Sequence, residues 1–422
     1  MSNIPTRRDA LSAGAALAAT LSTSALPAQP PSATAKRKRL AAVNSIYYKS
    51  SHAYHIIGRL LNGYTKDGKL HTPPFEIERM WNDQYGFDAK TKDLARPTAK
   101  KRNITITETI PEALGGVGNL DVDGVLLIAE HGDYSRNNLG QIQYPRAEWF
   151  EQIVDVMKSS KKSVPVFIDK ALSYDTDKII AMYKMALANN IPLMAGSSLP
   201  VTWRRPEWEP EIGAKITEAV VCFYADMEIY GFHALETLQC LLERRRGGET
   251  GVKSIQTIQG ADVWRYWDRG VWDKNLTEAA LRKSPSRDFG HPRDHVEKPF
   301  AFLVEYNDGT KATLINLHGY VSDITAGVKL AGDSKSYAMH FQLPPPPGAR
   351  FFNPLVWYIE QFFTTGKSPY PIERTLLTSI LLDYAHRSAA EGGKRIPTPA
   401  LEQFIYLPEK TSFFFRGPIS DD

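Results

Sequence analysis

Ionisable side chains follow the most apolar segment of the 422-residue chain, Val122–Ala129. Glu130, His131 and Asp133 come directly after this segment and offer nitrogen and oxygen atoms to a ligand. Such atoms bind divalent metals as well as polar substrates. The spacing of the three residues does not require a metal. We therefore predict that they contact a substrate, and we assign no metal ligand.

A lysine and a histidine stand at two further places where chemistry is expected. Lys170 follows the apolar run Val164–Ile168, at the expected carboxyl edge of a parallel sheet, where doubly wound folds bind ligands. A lysine in a surface turn is the alternative. His233 begins a leucine-rich stretch, and Glu236 follows it by one helical turn. We interpret Glu236 as a substrate contact, with a partner of His233 or an exposed helix charge as the alternatives.

Trp203 and Arg204 lie in a proline-containing segment that follows the last apolar run of the first half. An indole ring can stack on a sugar, and a guanidinium can clamp an acidic group. We predict that both residues bind substrate. The alternative is a linker that packs over a domain interface.

The first half of the chain alternates between strand and helix signals as far as residue 200. Apolar runs predict strands at Leu40–Ser45, Glu76–Trp81, Ile104–Thr107, Val122–Ala129, Val164–Ile168 and Pro192–Ala195. Periodic apolar positions predict helices that begin after Ser50 or Ser51, and over Ala147–Lys158 and Tyr174–Asn189. Strands separated by such helices indicate an α/β, Rossmann-like domain with a doubly wound parallel sheet over residues 40–200.

Extended segments dominate after residue 200. Strands are predicted at Glu218–Ala225, Val252–Gln259, Pro299–Tyr306, Lys311–His318 and Tyr337–Leu343. Asn307–Gly309 is a strong hairpin turn between two of them. Helices are predicted at His233–Arg245, Leu355–Thr365 and Arg374–Ala390. Residues 201–422 should therefore form an α+β domain with a largely antiparallel sheet, against which the final helices pack.

The beginning of the chain predicts export. Arg7 and Arg8 precede the small apolar run Ala13–Leu21, and the Ser/Ala/Pro stretch Ser22–Pro31 follows. This order is typical of a twin-arginine signal peptide, which we place at residues 1–30, with a basic linker at residues 31–39. The export machinery is thus a predicted partner, and the expected location is periplasmic or extracellular.

The composition limits the classes of partner. A formal net charge of +4, partly from the basic residues of the signal and linker, leaves no electrostatic footprint for nucleic acid. We find no further apolar run of membrane-spanning length, so no membrane anchor is expected. The chain has two cysteines, Cys222 and Cys240, and both are predicted to be buried free thiols.

Three motifs occur in an order that resembles the Gfo/Idh/MocA oxidoreductases. They are Asp169-Lys170 after a strand, Gly196-Ser197-Ser198 after the next strand, and Tyr230–Glu236 in the second half. The resemblance implies a nicotinamide cofactor on the first domain and a sugar-like substrate between the domains. It also implies that Lys170 polarises a hydroxyl or carbonyl group, and that His233 is a general acid or base or a substrate ligand; a structural histidine at the start of a helix is the alternative. An exposed sheet face is expected to pair two copies into a homo-oligomer.

The turn after the first strand departs from this family. Dinucleotide-binding members carry a glycine-rich turn that lets the pyrophosphate approach a helix N-terminus, whereas Asn44–Ser51 contains no glycine. Asp83 could bind a ribose, although it lies about 40 residues on, beyond the usual ~20. We predict contacts to NAD or NADP from the following residues: Asn44, Tyr47, Ser50, Ser51 and Asp83.

Three hypotheses of function follow. The first is an exported oxidoreductase that acts on a sugar or polyol with tightly bound NAD(P), in which Lys170 and His233 handle the proton. The second is a redox-neutral lyase, hydrolase or isomerase of carbohydrates on the same fold, with or without a metal. The third is a carbohydrate-binding protein without a cofactor.

Overall fold

The computed structural model describes residues 37–344 and 348–419. The predicted signal peptide, residues 1–30, lies outside the described residues, as does most of the predicted basic linker. The last residues of that linker are not a linker, because Lys38 and Arg39 already belong to the first strand.

The chain forms two main sheets with helices packed against them. The strands are β1 (Lys38–Ile46), β2 (Tyr64–Lys66), β3 (Lys69–His71), β4 (Phe75–Gln84), β5 (Thr105–Ile106), β6 (Gly124–Ile128), β7 (Val166–Asp169), β8 (Leu193–Gly196), β9 (Arg204–Arg205), β10 (Ile216–Phe223), β11 (Val252–Gln259), β12 (Phe300–Tyr306), β13 (Lys311–Asn316), β14 (Ile324–Leu330), β15 (Ser336–Phe341) and β16 (Ile396–Pro397). The α-helices are α1 (His52–Asn62), α2 (Ala95–Arg102), α3 (Ile110–Leu114), α4 (Arg146–Ser159), α5 (Thr176–Ala188), α6 (Met227–Leu242), α7 (Ala261–Arg269), α8 (Lys274–Leu281), α9 (Phe352–Thr365) and α10 (Ile372–Ala390).

The first sheet is parallel throughout and has the strand order β5-β4-β1-β6-β7-β8. Val43 of β1 lies between Trp81 of β4 and Leu127 of β6, so the chain order reverses at β1. Apolar residues cover both faces, one against α1 and α9 and the other against α4, α5 and α10. The predicted doubly wound sheet is confirmed, and its switch point is at β1, where such folds bind ligands.

The second sheet has the order β16-β11-β12-β13-β10-β14-β15-β9. All its neighbours are antiparallel except β10 and β13. The predicted α+β half is therefore confirmed. The strand β14 and the helices α7 and α8 were not predicted from the sequence.

Helix α6 begins six residues earlier than predicted. Asp226 caps it, because its carboxylate accepts a hydrogen bond from the backbone N–H of Ile229. His233 therefore lies in the second turn of the helix and not at its start, which corrects the sequence-based expectation.

Both faces of the second sheet are covered. Helices α6 and α10 pack on one face, and α7 and α8 pack on the other around Val263, Trp272 and Leu276. The open face that we expected for pairing two copies is thus occupied by the chain's own residues. Within the described part of the chain, no helix is long and apolar enough to cross a membrane.

Candidate functional site

The site lies where the turns after β1, β6 and β7 meet at the carboxyl edge of the first sheet. Each of these turns contains a non-glycine residue with a left-handed backbone: Ser50 (φ 72°), His131 (φ 69°) and Lys170 (φ 70°). Such a conformation costs of order 1–3 kcal/mol and persists only where the surrounding structure imposes it. The backbone of Lys170 is held by a hydrogen bond from its N–H to the carbonyl of Gly196, 3.1 Å away.

Lys170 and His233 form a buried pair. The Nζ of Lys170 lies 2.7 Å from Nε2 of His233 and donates a hydrogen bond to it. Burial, and then the charge of Lys170, lower the pKa of His233 well below its usual value. The imidazole is therefore neutral at physiological pH. The structure thus brings together the two residues that the family resemblance named as catalytic.

Glu130 balances the charge of this pair. Its carboxylate lies 3.5 Å from Nζ of Lys170 and accepts a 2.8 Å hydrogen bond from Nη2 of Arg146. Burial alone would raise the pKa of Glu130, but Lys170 and Arg146 outweigh it and the net shift is downward. Glu130 is therefore an ionised anchor for Lys170. Arg146 was missed from the sequence, because nothing there indicated that it turns back onto Glu130.

His52 and Asp169 form a second pair beside that of Lys170 and His233. This pair was not predicted from the sequence. Nδ1 of His52, the first residue of α1, is 2.7 Å from Oδ2 of Asp169, the last residue of β7. The ring of His131 contacts that of His52, with centroids 5.2 Å apart. Burial, and then His52, lower the pKa of His131 to about 4.

Several buried polar atoms of this edge lack a hydrogen-bond partner among the described residues. They are Nδ1 of His131, Oδ1 of Asp169, Oγ of Ser173 and Nδ1 of His233. Buried polar groups are nearly always paired in folded proteins. A cluster of unpaired ones beside Lys170 is what a pocket for a polar ligand or for ordered water requires.

The loop after β6, residues 131–145, closes over a small cavity that Glu130, Lys170 and Ser173 line. Gln141 of the loop donates to Asp383 of α10 at 3.1 Å, and the N–H of Ile142 donates to Glu228 of α6 at 3.1 Å. Asp133, predicted to bind substrate, instead lies exposed on the rim of this loop. The cavity is therefore covered by a loop of the first domain that is fastened to two helices of the second domain.

Two of the predicted substrate contacts, Trp203 and Arg204, lie away from this cavity. Arg204 is fully buried, donates to the carbonyl of Pro200, and lies over the ring of Phe414, while Trp203 packs on Phe415. Both residues pack against the C-terminal segment, the part of the chain that follows β16, and neither lines the cavity. The prediction of substrate binding by this pair is therefore corrected to a structural role.

Glu236 is also buried away from the cleft. Its carboxylate accepts hydrogen bonds from the N–H of Ser197 at 3.0 Å and from Oγ1 of Thr378 at 3.1 Å. A Cβ at Gly196 (φ +123°) would lie 2.7 Å from this carboxylate, so glycine permits the close approach. Burial raises the pKa of Glu236. It fastens α6 to the end of β8, which corrects its prediction as a substrate contact.

The predicted dinucleotide contacts after β1 are divided between surface and core. Asn44 is buried and donates to Asn82 Oδ1 at 3.2 Å. Tyr47 is buried in the core beside Tyr54, so its predicted contact to NAD or NADP is wrong. Ser51 caps α1 by accepting from the N–H of Tyr54, and Ser50 is exposed with φ 72°.

Asp83 lies at the end of β4, next to β1, which is where a Rossmann fold places its ribose-binding acid. The hairpin of β2 and β3 is inserted between α1 and β4 and accounts for the long sequence distance. Asp83 accepts a hydrogen bond from the hydroxyl of Tyr134 at 2.8 Å. Its side chain is thus placed where a ribose would be recognised.

The surface between Asp83 and the N-terminus of α1, which we call the groove, offers groups that suit a dinucleotide at its two ends. Asp83 is suited to a ribose, and the N-terminus of α1, with the exposed Ser50, is suited to an anion. Between these ends the rings of Tyr48, His52 and His131 are in contact, with centroids 5.7 Å and 5.2 Å apart. No group of three or more His, Cys, Asp or Glu side chains that could hold a metal is found among the described residues.

Solved structures share this architecture. The GenD2 protein of gentamicin A biosynthesis, in complex with NAD, is 11% identical; it aligns with 88% of this chain and 99% of its own, with a TM-score of 0.54. A scyllo-inositol dehydrogenase from Lactobacillus casei with bound NAD(H) and scyllo-inositol is 10% identical over 86% and 99% of the two chains, with a TM-score of 0.53. A protein described as a myo-inositol dehydrogenase from Sinorhizobium meliloti is 14% identical over 86% and 99%, with a TM-score of 0.50.

No family model and no curated protein matches the chain. At these low identities, the likeness shows the fold. The chain therefore has the two-domain architecture of these dehydrogenase structures.

Proposed function

We propose that the protein is an exported oxidoreductase that acts on a hydroxyl group of a sugar or polyol with NAD or NADP. The observation that carries the proposal is the buried 2.7 Å contact between Lys170 and His233 at the carboxyl edge of the first sheet. The solved structures of the same fold that carry NAD, one of them with scyllo-inositol, support the choice of cofactor and substrate class.

In this proposal Lys170 is the group that meets the reacting oxygen. Its ammonium donates to the substrate oxygen and stabilises negative charge that develops there. Glu130 and neutral His233 fix the position of Nζ from two sides. The loop of residues 131–145 excludes water from the reacting centre.

A bound NAD(P) would supply the acceptor for a hydride from the substrate carbon. Asp83 and the N-terminus of α1, with Ser50 and Ser51, are the residues that would hold it. Export is proposed from the arginine pair and apolar run near the start of the chain. An exported enzyme would need to retain its nucleotide tightly, because free nicotinamide nucleotides are a cytoplasmic pool.

A redox-neutral reaction on the same substrate class is the second candidate. It is favoured by the glycine-free turn Asn44–Ser51 and by the contact between Tyr48 and His131, which narrows the middle of the groove. A lyase, hydrolase or isomerase would use Lys170 and the nearby histidines for proton transfer alone.

The nucleotide content of the purified protein separates the two candidates. Protein purified without added nucleotide is denatured, and the released material is measured by ultraviolet absorbance and mass spectrometry. We expect about one NAD(P) per chain, and less in Asp83→Asn, which loses a charged partner for the ribose. Leu70→Gln, at an exposed hairpin residue, is the matched control. No nucleotide, together with no thermal shift on adding NAD or NADP, would reject the oxidoreductase.

A further inference from the structure

His52 and Asp169 form a fixed pair at the centre of the site. Asp169 is 1% exposed and His52 16% exposed, and their side chains meet at 2.7 Å through Nδ1 of the imidazole. A carboxylate at this nitrogen holds the neutral ring in the Nδ1–H tautomer, which leaves Nε2 with a free electron pair. Asp169 also immediately precedes Lys170, so the pair is tied by the backbone to the residue proposed to meet the reacting oxygen.

The ring of His52 is held on two further sides. Phe352 meets it edge-on with centroids 5.0 Å apart, and His131 packs at 5.2 Å. Its remaining nitrogen, Nε2, has no hydrogen-bond partner among the residues that the structure describes. A histidine that is oriented by a carboxylate, packed in place and unpaired at the other nitrogen has the features of a general base.

His233 is less suited to accept the proton. Its Nε2 is already engaged by Lys170, and its surroundings offer no carboxylate to Nδ1, which is unpaired within the described residues. An imidazolium formed there would be buried beside the lysine. An imidazolium formed at His52 would instead be stabilised by Asp169.

We propose that His52 is the proton acceptor of this site and that Asp169 is its positioning residue. The inference rests on the proposed function, because it requires a hydroxylated substrate bound at Lys170. In the step, the O–H bond of the substrate breaks and its proton forms a bond to Nε2 of His52. The electron pair stays on the oxygen, beside the ammonium of Lys170. Since His52 is partly exposed, the proton can then pass to water.

The test compares His52→Ala with the wild type. Substrate loss from a panel of inositols, hexoses and hexuronates is followed by chromatography, so that turnover is seen whether or not nucleotide is reduced. We expect kcat to fall about 100-fold or more in His52→Ala, with KM within about threefold. Added imidazole should restore part of the lost kcat, because the deleted ring leaves a partly exposed space.

Asp169→Asn provides a second variant. It should lower kcat with little change in KM, because an amide no longer enforces the Nδ1–H tautomer. Nitrogen-15 spectra of the histidine side chains check this directly: we expect His52 as the Nδ1–H tautomer in the wild type and a mixture in Asp169→Asn.

His55→Gln is the matched control. His55 lies one turn along α1 and stacks on the same Phe352, but its ring faces Arg59. Its kcat should stay within about twofold of the wild type. A kcat of His52→Ala within threefold of the wild type would overturn the proposal, as would an equal loss in His55→Gln that imidazole does not restore.

The outcomes also separate the two proposals. Wild-type turnover without nucleotide reduction would reject the oxidoreductase and leave the His52 comparison intact. Turnover that depends on NAD(P) but is unaffected in His52→Ala would reject His52 alone. No turnover of any panel member would count against both.

Discussion

Two networks of buried charge differ in how completely their hydrogen bonds are made. The first, which we call the helix network, joins α6 to α10 and the C-terminal segment through Glu243, Arg374, Glu249 and Arg245. Glu243 accepts bonds from Arg374 at 2.5 and 2.9 Å and from the hydroxyl of Tyr406 at 3.0 Å. Glu249 accepts from Gln239, Arg245 and the N–H of Gly251.

The second, the edge network, comprises Glu130, Lys170, His233, His52 and Asp169. Its bonds are fewer and it leaves polar atoms unpaired among the described residues, at Asp169 and His233. The helix network leaves Nη1 of Arg374 unpaired among those residues, but each of its two carboxylates accepts at least three hydrogen bonds. The difference indicates that the helix network stabilises the fold, whereas the edge network keeps donors and acceptors available for a ligand.

The largest effect should follow from breaking the helix network. Arg374→Met leaves Glu243 buried without its main partner, which costs about 3–5 kcal/mol of the free energy of unfolding. Urea unfolding measures the loss. Lys158→Met, at a side chain 49% exposed, should change it by less than about 0.5 kcal/mol. If the two variants were equally stable, the helix network would not be the stabilising one.

Breaking the edge network should affect activity more than stability. Lys170→Met should lower kcat by about 100-fold or more, because the reacting oxygen loses its cation. The loss in unfolding free energy should be less than half of that in Arg374→Met, since Glu130 keeps its 2.8 Å bond to Arg146. Steady-state kinetics and urea unfolding on the same preparation check both parts. A variant as unstable as Arg374→Met with unchanged kcat would reverse the assignment of the two networks.

A smaller effect is expected from acid. His131 has its pKa lowered to about 4 in the folded protein, against 6.5 for an exposed histidine. Above pH 6.5 both states are neutral at this residue, so it contributes no pH dependence. Below pH 6.5 the unfolded chain binds a proton that the folded protein does not. The free energy of unfolding should therefore fall by about 2 kcal/mol between pH 6.5 and 5 on this account.

His131→Gln should remove this contribution. The test is the slope of unfolding free energy against pH in that interval, which should be shallower in His131→Gln than in the wild type. Equal slopes would mean that His131 titrates alike in both states.

The first half of the fold was predictable because each element carries a local signal. Continuous apolar runs identify β6 and β7, and the capping serine Ser51 marks the start of α1. In the second half, α7 was missed because its aromatic residues Trp264 and Trp267 equally suit a strand or a surface. The start of α6 was misplaced because the capping role of Asp226 was not recognised.

The site was only partly predictable. Glu130 and Lys170 were chosen from their positions after apolar runs, and the family resemblance pointed to Lys170 and His233. The structure brings the three residues together. His52 could not be found in this way, because its partner Asp169 is 117 residues away and the pair exists only through the sheet topology. Asp169 itself was visible as the neighbour of Lys170, but its role depends on that long-range contact.

Helices α7 and α8 have a consequence for assembly. By closing the outer face of the second sheet, they remove the strands as a docking surface, so any second copy would meet helix side chains there instead. Strands that are enclosed within one chain need no subunit to bury them. The face of the sheet opposite α6 is thus buried by helices of the same chain, so the sheet that supports His233 on α6 does not depend on protein concentration for this burial.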